Sequence, residues 1–177
     1  MIRSIRFAFC LLALSASTGW SQKLPTASRA GDLQIGGGYS LGNSDYSNER
    51  FDGFAFYADF DFKAHWGAEA EFHQINQPKG NGLGNQLYER TYEIGGRYVY
   101  PIGRFKPYGK FMIGRGVFNY PSANLAFNMY APGGGIDYHL LPWLNLRADL
   151  EYQVWPDFYP QTLNPKVIVI GAAYHFH

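Results

Sequence analysis

The sequence predicts an all-β protein: an eight-stranded antiparallel up-and-down transmembrane β-barrel, preceded by a cleaved signal peptide. Three observations carry this prediction. Eight segments alternate apolar and polar residues with a period of two, which is the pattern of a β-strand. The connections between the segments alternate between short and long, and aromatic residues make up 18% of the chain. The apolar side is rich in Phe and Tyr while the other side carries carboxylates, as expected when hydrocarbon surrounds the outside of a closed barrel.

The N-terminus has the composition of a signal peptide. Arg3 and Arg6 form a short positive region, residues 7–16 form an apolar core, and a small-x-small site ends at Ser21. We expect cleavage after Ser21, because the apolar core is too short to span a membrane as a helix. The predicted division of the chain is 1–21 as signal peptide, 22–30 as a periplasmic N-terminal segment, and 31–177 as the barrel.

Cysteine content and charge exclude several classes of function. Cys10 is the only cysteine and lies in the predicted signal peptide, so the mature protein would have no disulfide and no thiolate metal site. The formal net charge is +1 and 16% of residues are charged, which predicts no nucleic-acid partner. The mean hydropathy of −0.26 does not indicate a membrane protein by itself, because the apolar and polar faces of each alternating strand cancel in the average.

The eight predicted strands follow one another with turn residues between them. They are 32–42, 51–62, 66–76, 87–100, 107–118, 129–140, 143–155 and 166–176. The short connections are 63–65, 101–106 and 141–142, and the long ones are 43–50, 77–86, 119–128 and 156–165. This alternation is typical of short periplasmic turns and longer extracellular loops.

Alternation assigns a face to most strands in order. The first contains Gly36–Gly38, which predicts close approach of backbones, and the second alternates Phe on one face with Tyr57, Asp59 and Asp61 on the other. The fourth directs Glu93 and Arg97 inward, whereas in the fifth an inward Lys110 would place Arg115 outside unless a bulge resets the register. Arg115 therefore stays unassigned. The outward residues of the fourth strand are Tyr92, Ile94, Gly96, Tyr98 and Tyr100, and those of the seventh are Leu144, Leu146, Ala148, Leu150, Tyr152 and Val154.

The interior is predicted to be filled by polar side chains. The inward set is Tyr57, Asp59, Asp61, Glu69, Glu71, Glu93, Arg97, Lys110, Asp137, Arg147, Asp149 and Glu151. Eight strands enclose a space only wide enough for side chains, so we expect a plugged lumen with little or no conductance.

The aromatic residues at strand ends predict two membrane-interface belts. Around the short turns these are Phe62, Trp66, Tyr98, Tyr100, Tyr108, Tyr138 and Trp143. Near the long loops they are Phe51, Phe118, Tyr120, Tyr130, Trp155, Phe158 and Tyr159. The last loop, 157–165, is the best candidate for surface contact, because Phe158, Tyr159 and Leu163 are expected to be exposed there or to extend the outer belt.

The last strand alternates Ile168, Ile170, Ala172, Tyr174 and Phe176 up to an aromatic near the terminus. Together with the signal peptide and eight segments, this resembles the OmpA-like outer-membrane β-barrel family over about residues 31–177. The terminal His177 departs from the family, whose members commonly end on the aromatic itself. We expect the barrel domain alone, without the peptidoglycan-binding domain that OmpA carries.

The resemblance implies several partners and a place in the cell. It implies an integral protein of the outer membrane of a Gram-negative cell envelope, surrounded by lipid and lipopolysaccharide. It also implies that the barrel assembly machinery and periplasmic chaperones act during export, and that the folded protein is a monomer.

Two other functions stay open beside a non-enzymatic structural and surface-interaction role. A lipid A acyl hydrolase or acyltransferase would need a Ser beside a His near the outer leaflet, and Ser40 is the only Ser confidently placed in a strand. A small-solute channel would need an open lumen. The histidines, His65, His73, His139, His175 and His177, share no ligand-like spacing, so we expect no catalytic residue, no cofactor and no metal site.

The acids of the second and third strands predict an unbalanced interior. If the turn at Lys63–His65 is tight, Asp61 faces Glu69 and Asp59 faces Glu71 across the strand pair. Like charges so placed destabilise a sheet. Cations reaching across the lumen, or protons retained on some acids, would then be required. The candidate cations are Arg97, Lys110 and Arg147.

Overall fold

In the computed structural model of the chain, eight antiparallel strands close into a barrel in which β1 pairs with both β2 and β8. The residues described are 31–43, 50–77, 87–120, 123–158 and 162–176. The strands are β1 Asp32–Asn43, β2 Arg50–Asp61, β3 Trp66–Asn76, β4 Tyr88–Val99, β5 Phe105–Tyr120, β6 Ala123–Leu141, β7 Leu144–Tyr152 and β8 Lys166–Phe176. The predicted fold class is confirmed, while the predicted signal peptide and segment 22–30 lie outside the described residues. No helix in the described part of the chain is long and apolar enough to cross a membrane.

Burial alternates along each strand with the polar residues inside. On β7, Arg147 and Glu151 are buried, whereas Leu146 and Leu150 between them are exposed. The same holds on β4, where Arg97 is 1% exposed. The facings predicted for these two strands are therefore confirmed, and so is the polar interior. The outer wall is apolar, with exposed fractions as high as 61% for Ile94 and 64% for Ile170.

The two ends of the barrel differ. The end that we call the short-turn end carries residues 62–65, 100–104 and 142–143 together with both ends of the described chain. In one of these turns Gly103 has a φ of 62°, a left-handed conformation that glycine adopts without a Cβ penalty. The opposite, long-loop end carries the other four connections, of which 44–49, 78–86, 121–122 and 159–161 are outside the described residues.

The prediction of a ten-residue loop at 119–128 is wrong. β5 continues to Tyr120 and β6 begins at Ala123, so the two strands form a long hairpin at this end. The polar residues that suggested a loop face each other across the ladder, where Asn124 Nδ2 donates to Asn119 Oδ1 at 3.1 Å. A cross-strand amide pair satisfies these side chains within a ladder as well as a loop would.

The predicted register between β2 and β3 is also wrong, by two residues. Asp59 lies opposite Glu69, and Asp61 lies opposite Gly67 rather than Glu69. The backbone N–H groups of Phe62 and Lys63 both bond to the Trp66 carbonyl, which sets where the ladder begins. A shift of two residues keeps every side chain on its predicted face, so the acids still point into the lumen.

The position of Arg115 is settled by the ladders around it. β4–β5 and β5–β6 pair without a register shift, and Arg115 lies opposite Tyr92 on one side and Asn128 on the other. With no bulge to turn it inward, Arg115 is exposed on the outer wall.

Aromatic residues form a belt at the short-turn end, but those at the long-loop end mostly turn inward. Trp66 and Tyr100 are 55% and 59% exposed, as a belt requires, whereas Tyr108 from the predicted lower belt is buried in the lumen. The prediction of an upper belt is wrong for Phe51, Phe118, Trp155 and Phe158, which are all buried. The physical reason is parity: Phe118 is an even number of residues from inward Lys110, and the alternation that places the lysine inside places the ring inside too.

Candidate functional site in the barrel lumen

The lumen near the short-turn end is closed by amide side chains. Asn145 Nδ2 donates to Gln34 Oε1 at 2.8 Å, and Gln34 Nε2 donates to Asp137 Oδ2 at 3.1 Å. His139 Nδ1 lies 2.9 Å from Asn145 Oδ1. These contacts join β1, β6 and β7 across the interior, so the amides act as a polar floor.

Above this floor, two arginines bind the same carboxylates. Arg97 contacts Asp59 at 2.9 Å and Asp137 at 2.8 Å. Arg147 contacts Asp59 at 2.5 Å, Asp137 at 2.8 Å and Glu69 at 3.3 Å. Charge-assisted contacts of this kind are the strong hydrogen bonds of proteins, and here they connect five strands.

Tyrosine rings separate the guanidinium groups from the walls. The Arg147 guanidinium lies 4.0 Å from the centre of the Tyr57 ring, and that of Arg97 lies 4.4 Å from the centre of the Tyr108 ring. The Tyr108 hydroxyl donates to Asp149 at 2.5 Å. The rings fill space and add cation–π attraction in a desolvated setting.

Lys110 is the next cation toward the long-loop end. Its Nζ contacts Glu71 at 2.5 Å, Glu151 at 2.7 Å, Asp149 at 3.0 Å and Glu69 at 3.1 Å. One ammonium therefore serves four carboxylates. We call the set of Arg97, Arg147, Lys110 and the acids they contact the luminal charge network.

His73 lies beside this network with acids around its Nε2 atom. Nε2 is 3.2 Å from Glu71 Oε1, 3.5 Å from Glu151 Oε2 and 3.9 Å from Glu93 Oε1. On the other side of the ring, Nδ1 lies 3.5 Å from the Ser40 hydroxyl oxygen. His73 is buried in the lumen, and three glutamates surround its imidazole.

The long-loop end of the lumen is filled by apolar side chains, which we call the apolar plug. Its members are Phe51, Leu87, Phe118, Trp155, Phe158 and Leu163. Trp155 and Leu163 exchange both backbone hydrogen bonds, at 2.8 and 3.3 Å, which joins the described residues on the two sides of this loop. The prediction that Phe158 and Leu163 are exposed or extend the outer belt is therefore wrong; they are 8% and 3% exposed, and Tyr159 lies outside the described residues.

Acids exceed bases in the lumen as described. The buried acids are Asp59, Glu69, Glu71, Glu89, Glu93, Asp137, Asp149 and Glu151. The buried bases are Arg97, Lys110 and Arg147. Toward the long-loop end, Lys110 is the only Lys or Arg of the described residues that contacts Glu71 and Glu151, because the two arginines bind Asp59, Glu69 and Asp137 instead.

Sequence reasoning found most of these residues and missed a few. Alternation identified every member of the predicted inward set, and all are buried except Asp61, which is partly buried. It missed Glu89, which has the same parity as Glu93, and it missed the grouping around His73. Glu71 and His73 are two residues apart on one strand, so their side chains share a face, and this spacing was the available signal.

Among the described residues, the arrangement fills the lumen with buried charged side chains. Ser40, the single serine of the described residues, is fully buried, and His73 is 1% exposed. A Ser–His contact is present, and both of its side chains are buried among the described residues.

Comparisons with known proteins agree with this architecture. No curated protein sequence matches the chain. Among solved structures, Ail, the attachment invasion locus protein of Yersinia pestis, is 20% identical with a TM-score of 0.59, and the match covers 84% of this chain and 100% of Ail. The N-terminal barrel domain of Pseudomonas aeruginosa OprF is 10% identical with a TM-score of 0.61, covering 82% and 99%. OprG of Pseudomonas aeruginosa is 19% identical with a TM-score of 0.56, covering 84% and 97%.

These structural likenesses concern the fold. The family is shown by sequence, because residues 7–176 match the outer membrane protein beta-barrel domain. The apolar outer wall, the polar lumen and the closed eight-stranded sheet are those of such a barrel. The chain therefore belongs to the outer membrane protein beta-barrel domain family and is an integral outer-membrane protein.

Proposed function

We propose that the protein is a non-enzymatic, monomeric barrel that supports membrane integrity and interacts through its outer wall and extracellular loops. The observation that carries this proposal is the filled lumen. The polar floor, the luminal charge network and the apolar plug occupy it from one end to the other. With the lumen filled by described side chains and Ser40 buried, the surface is what the barrel offers to other molecules.

The buried Ser40–His73 contact argues against a lipid A-modifying enzyme. An acyl hydrolase or acyltransferase needs its serine within reach of an acyl chain at the outer leaflet. Ser40 is 0% exposed and faces the lumen, so an ester bond of a lipid has no route to its hydroxyl oxygen.

The outer wall at the long-loop end has a site suited to an anionic lipid. Arg50 and Lys166 flank Asn43 on the two neighbouring strands, and all three are exposed. Below them lies an open cavity of about 370 Å³ with Leu150 and Ile168 in its wall. Cations above an apolar groove match the phosphates and acyl chains of lipopolysaccharide, which we infer to be the partner at this site.

The β5–β6 hairpin is the best described candidate for contact with other surfaces. β6 pairs with β7 only from Gly133 onward, so residues 123–132 depend on β5 and on the single Tyr130–Val154 bridge. Leu125 on this hairpin is 44% exposed. This replaces the last loop as the expected contact element, because the apolar residues of that loop belong to the plug.

Fractionation and function assays test the proposal directly. We expect the protein in outer-membrane fractions, with different migration in SDS gels before and after boiling, because a closed sheet without edges resists detergent. Lipid A from expressing cells should have an unchanged mass spectrum, and planar bilayers should show no conductance above background. A change in lipid A acylation would establish an enzyme, and stable single-channel steps would establish a pore.

Cysteine labelling tests the surface elements. Leu125→Cys should react with a membrane-impermeant maleimide on intact cells, whereas Trp143→Cys at the short-turn end should react only after the outer membrane is opened. Trp143 is 49% exposed, so it controls for burial. Labelling of Trp143→Cys on intact cells would mean that the short-turn end, rather than the long-loop end, faces the cell exterior.

We expect export through periplasmic chaperones and the barrel assembly machinery, as for other barrels of this class.

A further inference from the structure

A compact group of ligand atoms lies inside the barrel between Lys110 and the apolar plug. Glu71 and His73 project from β3, and Glu151 projects from β7 across the lumen. One carboxylate oxygen from each glutamate and the imidazole nitrogen all lie within 4.8 Å of one another. All three residues are buried, with 4% exposure for Glu71 as the highest value.

The distances suit a first coordination shell. Zn²⁺ binds imidazole and carboxylate ligands at about 2.0–2.2 Å in a tetrahedron, which places neighbouring ligand atoms about 3.3–3.6 Å apart. From His73 Nε2, the oxygens of Glu71, Glu151 and Glu93 lie at 3.2, 3.5 and 3.9 Å. Glu93, on β4, is the most distant of the three glutamates and offers a fourth ligand through Oε2, which has no hydrogen-bond partner.

Several of these atoms have no hydrogen bond although water cannot reach them. Glu71 Oε1 and His73 Nε2 are buried and lie 3.2 Å apart, yet neither makes a hydrogen bond of good geometry, and Glu93 Oε2 makes none either. A buried polar atom left in this state costs free energy, so its presence calls for an explanation. A cation held between the three side chains would use the lone pairs that nothing else satisfies.

The surrounding residues orient the ligands as a second shell does in metal sites. The Ser40 hydroxyl oxygen lies 3.5 Å from His73 Nδ1, where it can accept the Nδ1 proton and leave the Nε2 lone pair facing the glutamates. Lys110 holds the second oxygens of Glu71 and Glu151 at 2.5 and 2.7 Å. Thr91 and Gln153 donate to Glu93 at 2.5 and 3.2 Å.

Charge balance favours a divalent ion over a proton on the histidine. Three glutamates face His73, and Lys110, their nearest cation, is shared with Glu69 and Asp149. Protonated His73 would supply one positive charge, whereas a divalent ion supplies two and leaves the imidazole neutral as a ligand.

We propose that Glu71, His73 and Glu151, with Glu93 as the fourth ligand, bind one divalent transition-metal ion of the Zn²⁺ class inside the barrel. Imidazole combined with carboxylates selects Zn²⁺ or a similar ion over Ca²⁺ and Mg²⁺, which prefer oxygen ligands alone. The apolar plug on one side and Lys110 with the two arginines on the other enclose the ion. It therefore enters before the barrel closes and exchanges slowly afterwards.

The test is metal content after refolding. The urea-unfolded mature chain is refolded into detergent with ZnCl₂ or with EDTA, freed of loose metal by gel filtration, and analysed by plasma mass spectrometry. We expect about one Zn²⁺ per chain after refolding with ZnCl₂, at least tenfold less in His73→Gln and Glu71→Gln, and wild-type content in the control His139→Gln. His139 also faces the lumen but contacts Asn145 at the other end.

A second measurement covers variants that refold poorly. Addition of ZnCl₂ during refolding should raise the urea midpoint of the wild type and of His139→Gln, and should leave the midpoint of His73→Gln unchanged, because an ion stabilises only the state that binds it. Refolding with CaCl₂ should raise none of them. Wild-type protein with no more zinc than the EDTA sample would overturn the proposal, and so would equal zinc in wild type and His73→Gln, which would indicate adventitious ions only.

Discussion

The two halves of the lumen are closed by opposite kinds of chemistry. Toward the short turns, Arg97 and Arg147 share carboxylates from β2, β3 and β6. Toward the long loops, Trp155, Phe118 and Phe158 pack as rings, with Phe118 and Phe158 5.6 Å apart edge to face. In both halves, the residues that fill the lumen are spaced two apart along their strands, so the same alternation directs them inward. A narrow barrel can therefore be filled by ionic groups or by hydrocarbon. Loss of one partner costs more free energy of unfolding in the ionic half, because the remaining charge stays buried without compensation.

The largest effect is expected from Arg147→Met. This change leaves Asp59 and Asp137 buried with Arg97 as their remaining arginine. Removing one member of a buried ionic group costs about 3–5 kcal/mol, because the other charges stay desolvated. The urea midpoint of the refolded barrel should fall accordingly.

A double variant tests whether the loss comes from stranded charge. Asp59→Asn removes one acid that Arg147 contacts at 2.5 Å, so Arg147→Met with Asp59→Asn should be more stable than the sum of the single losses predicts. Additive losses would mean that Arg147 acts through its packing on Tyr57 rather than through its charge.

Trp155→Ala should cost less, about 3 kcal/mol, the lower end for a buried aromatic residue. The plug lies toward the long-loop end of the barrel, where Trp155 is held by one isolated bridge to Leu163 rather than by a full ladder. Trp143→Ala is the matched control, because that ring lies on the outer wall and is 49% exposed. Urea midpoints of the two variants give the comparison, and equal losses would contradict a packed plug.

A smaller effect is expected from Gly116→Ala. A Cβ atom at Gly116 would collide with the Trp155 ring, whereas one at Gly109 on the same strand would meet nothing within 4 Å. Overpacking costs about 1–3 kcal/mol, so Gly116→Ala should lower the urea midpoint and Gly109→Ala should not. Tryptophan fluorescence should shift in the first variant only. An unchanged spectrum in Gly116→Ala would place Trp155 elsewhere.

The smallest effect is expected from Arg115→Gln. Arg115 is exposed on the outer wall and belongs to neither filling, so its loss should change the free energy of unfolding by no more than about 0.5 kcal/mol. The urea midpoint in detergent measures this. A loss as large as that of Arg147→Met would mean that Arg115 turns into the lumen.

Alternation determined which side chains point inward, because a strand has only two faces and a closed barrel has only one interior. It placed Arg97, Lys110 and Arg147 inside before any contact was known. Alternation also placed Phe118 and Trp155 on the inward face. The prediction assigned them to an outer aromatic belt instead, because aromatic residues near strand ends usually lie at the membrane interface. Strand number and barrel closure followed from the same pattern, because each segment leaves unpaired backbone groups that lipid cannot satisfy.

Only the tertiary structure decided which inward groups meet. The β2–β3 register differs by two residues from the predicted one, which changes the β3 partners of Asp59 and Asp61. Alternation cannot detect such a shift, because a shift of two residues leaves every side chain on the same face. Likewise, Glu151 reaches His73 only because closure brings β7 opposite β3. The sequence by itself determined the polarity of the lumen, since that depends on spacing along one strand. The pairing of its charges depends on distances across the barrel, which are set by closure, tilt and register together.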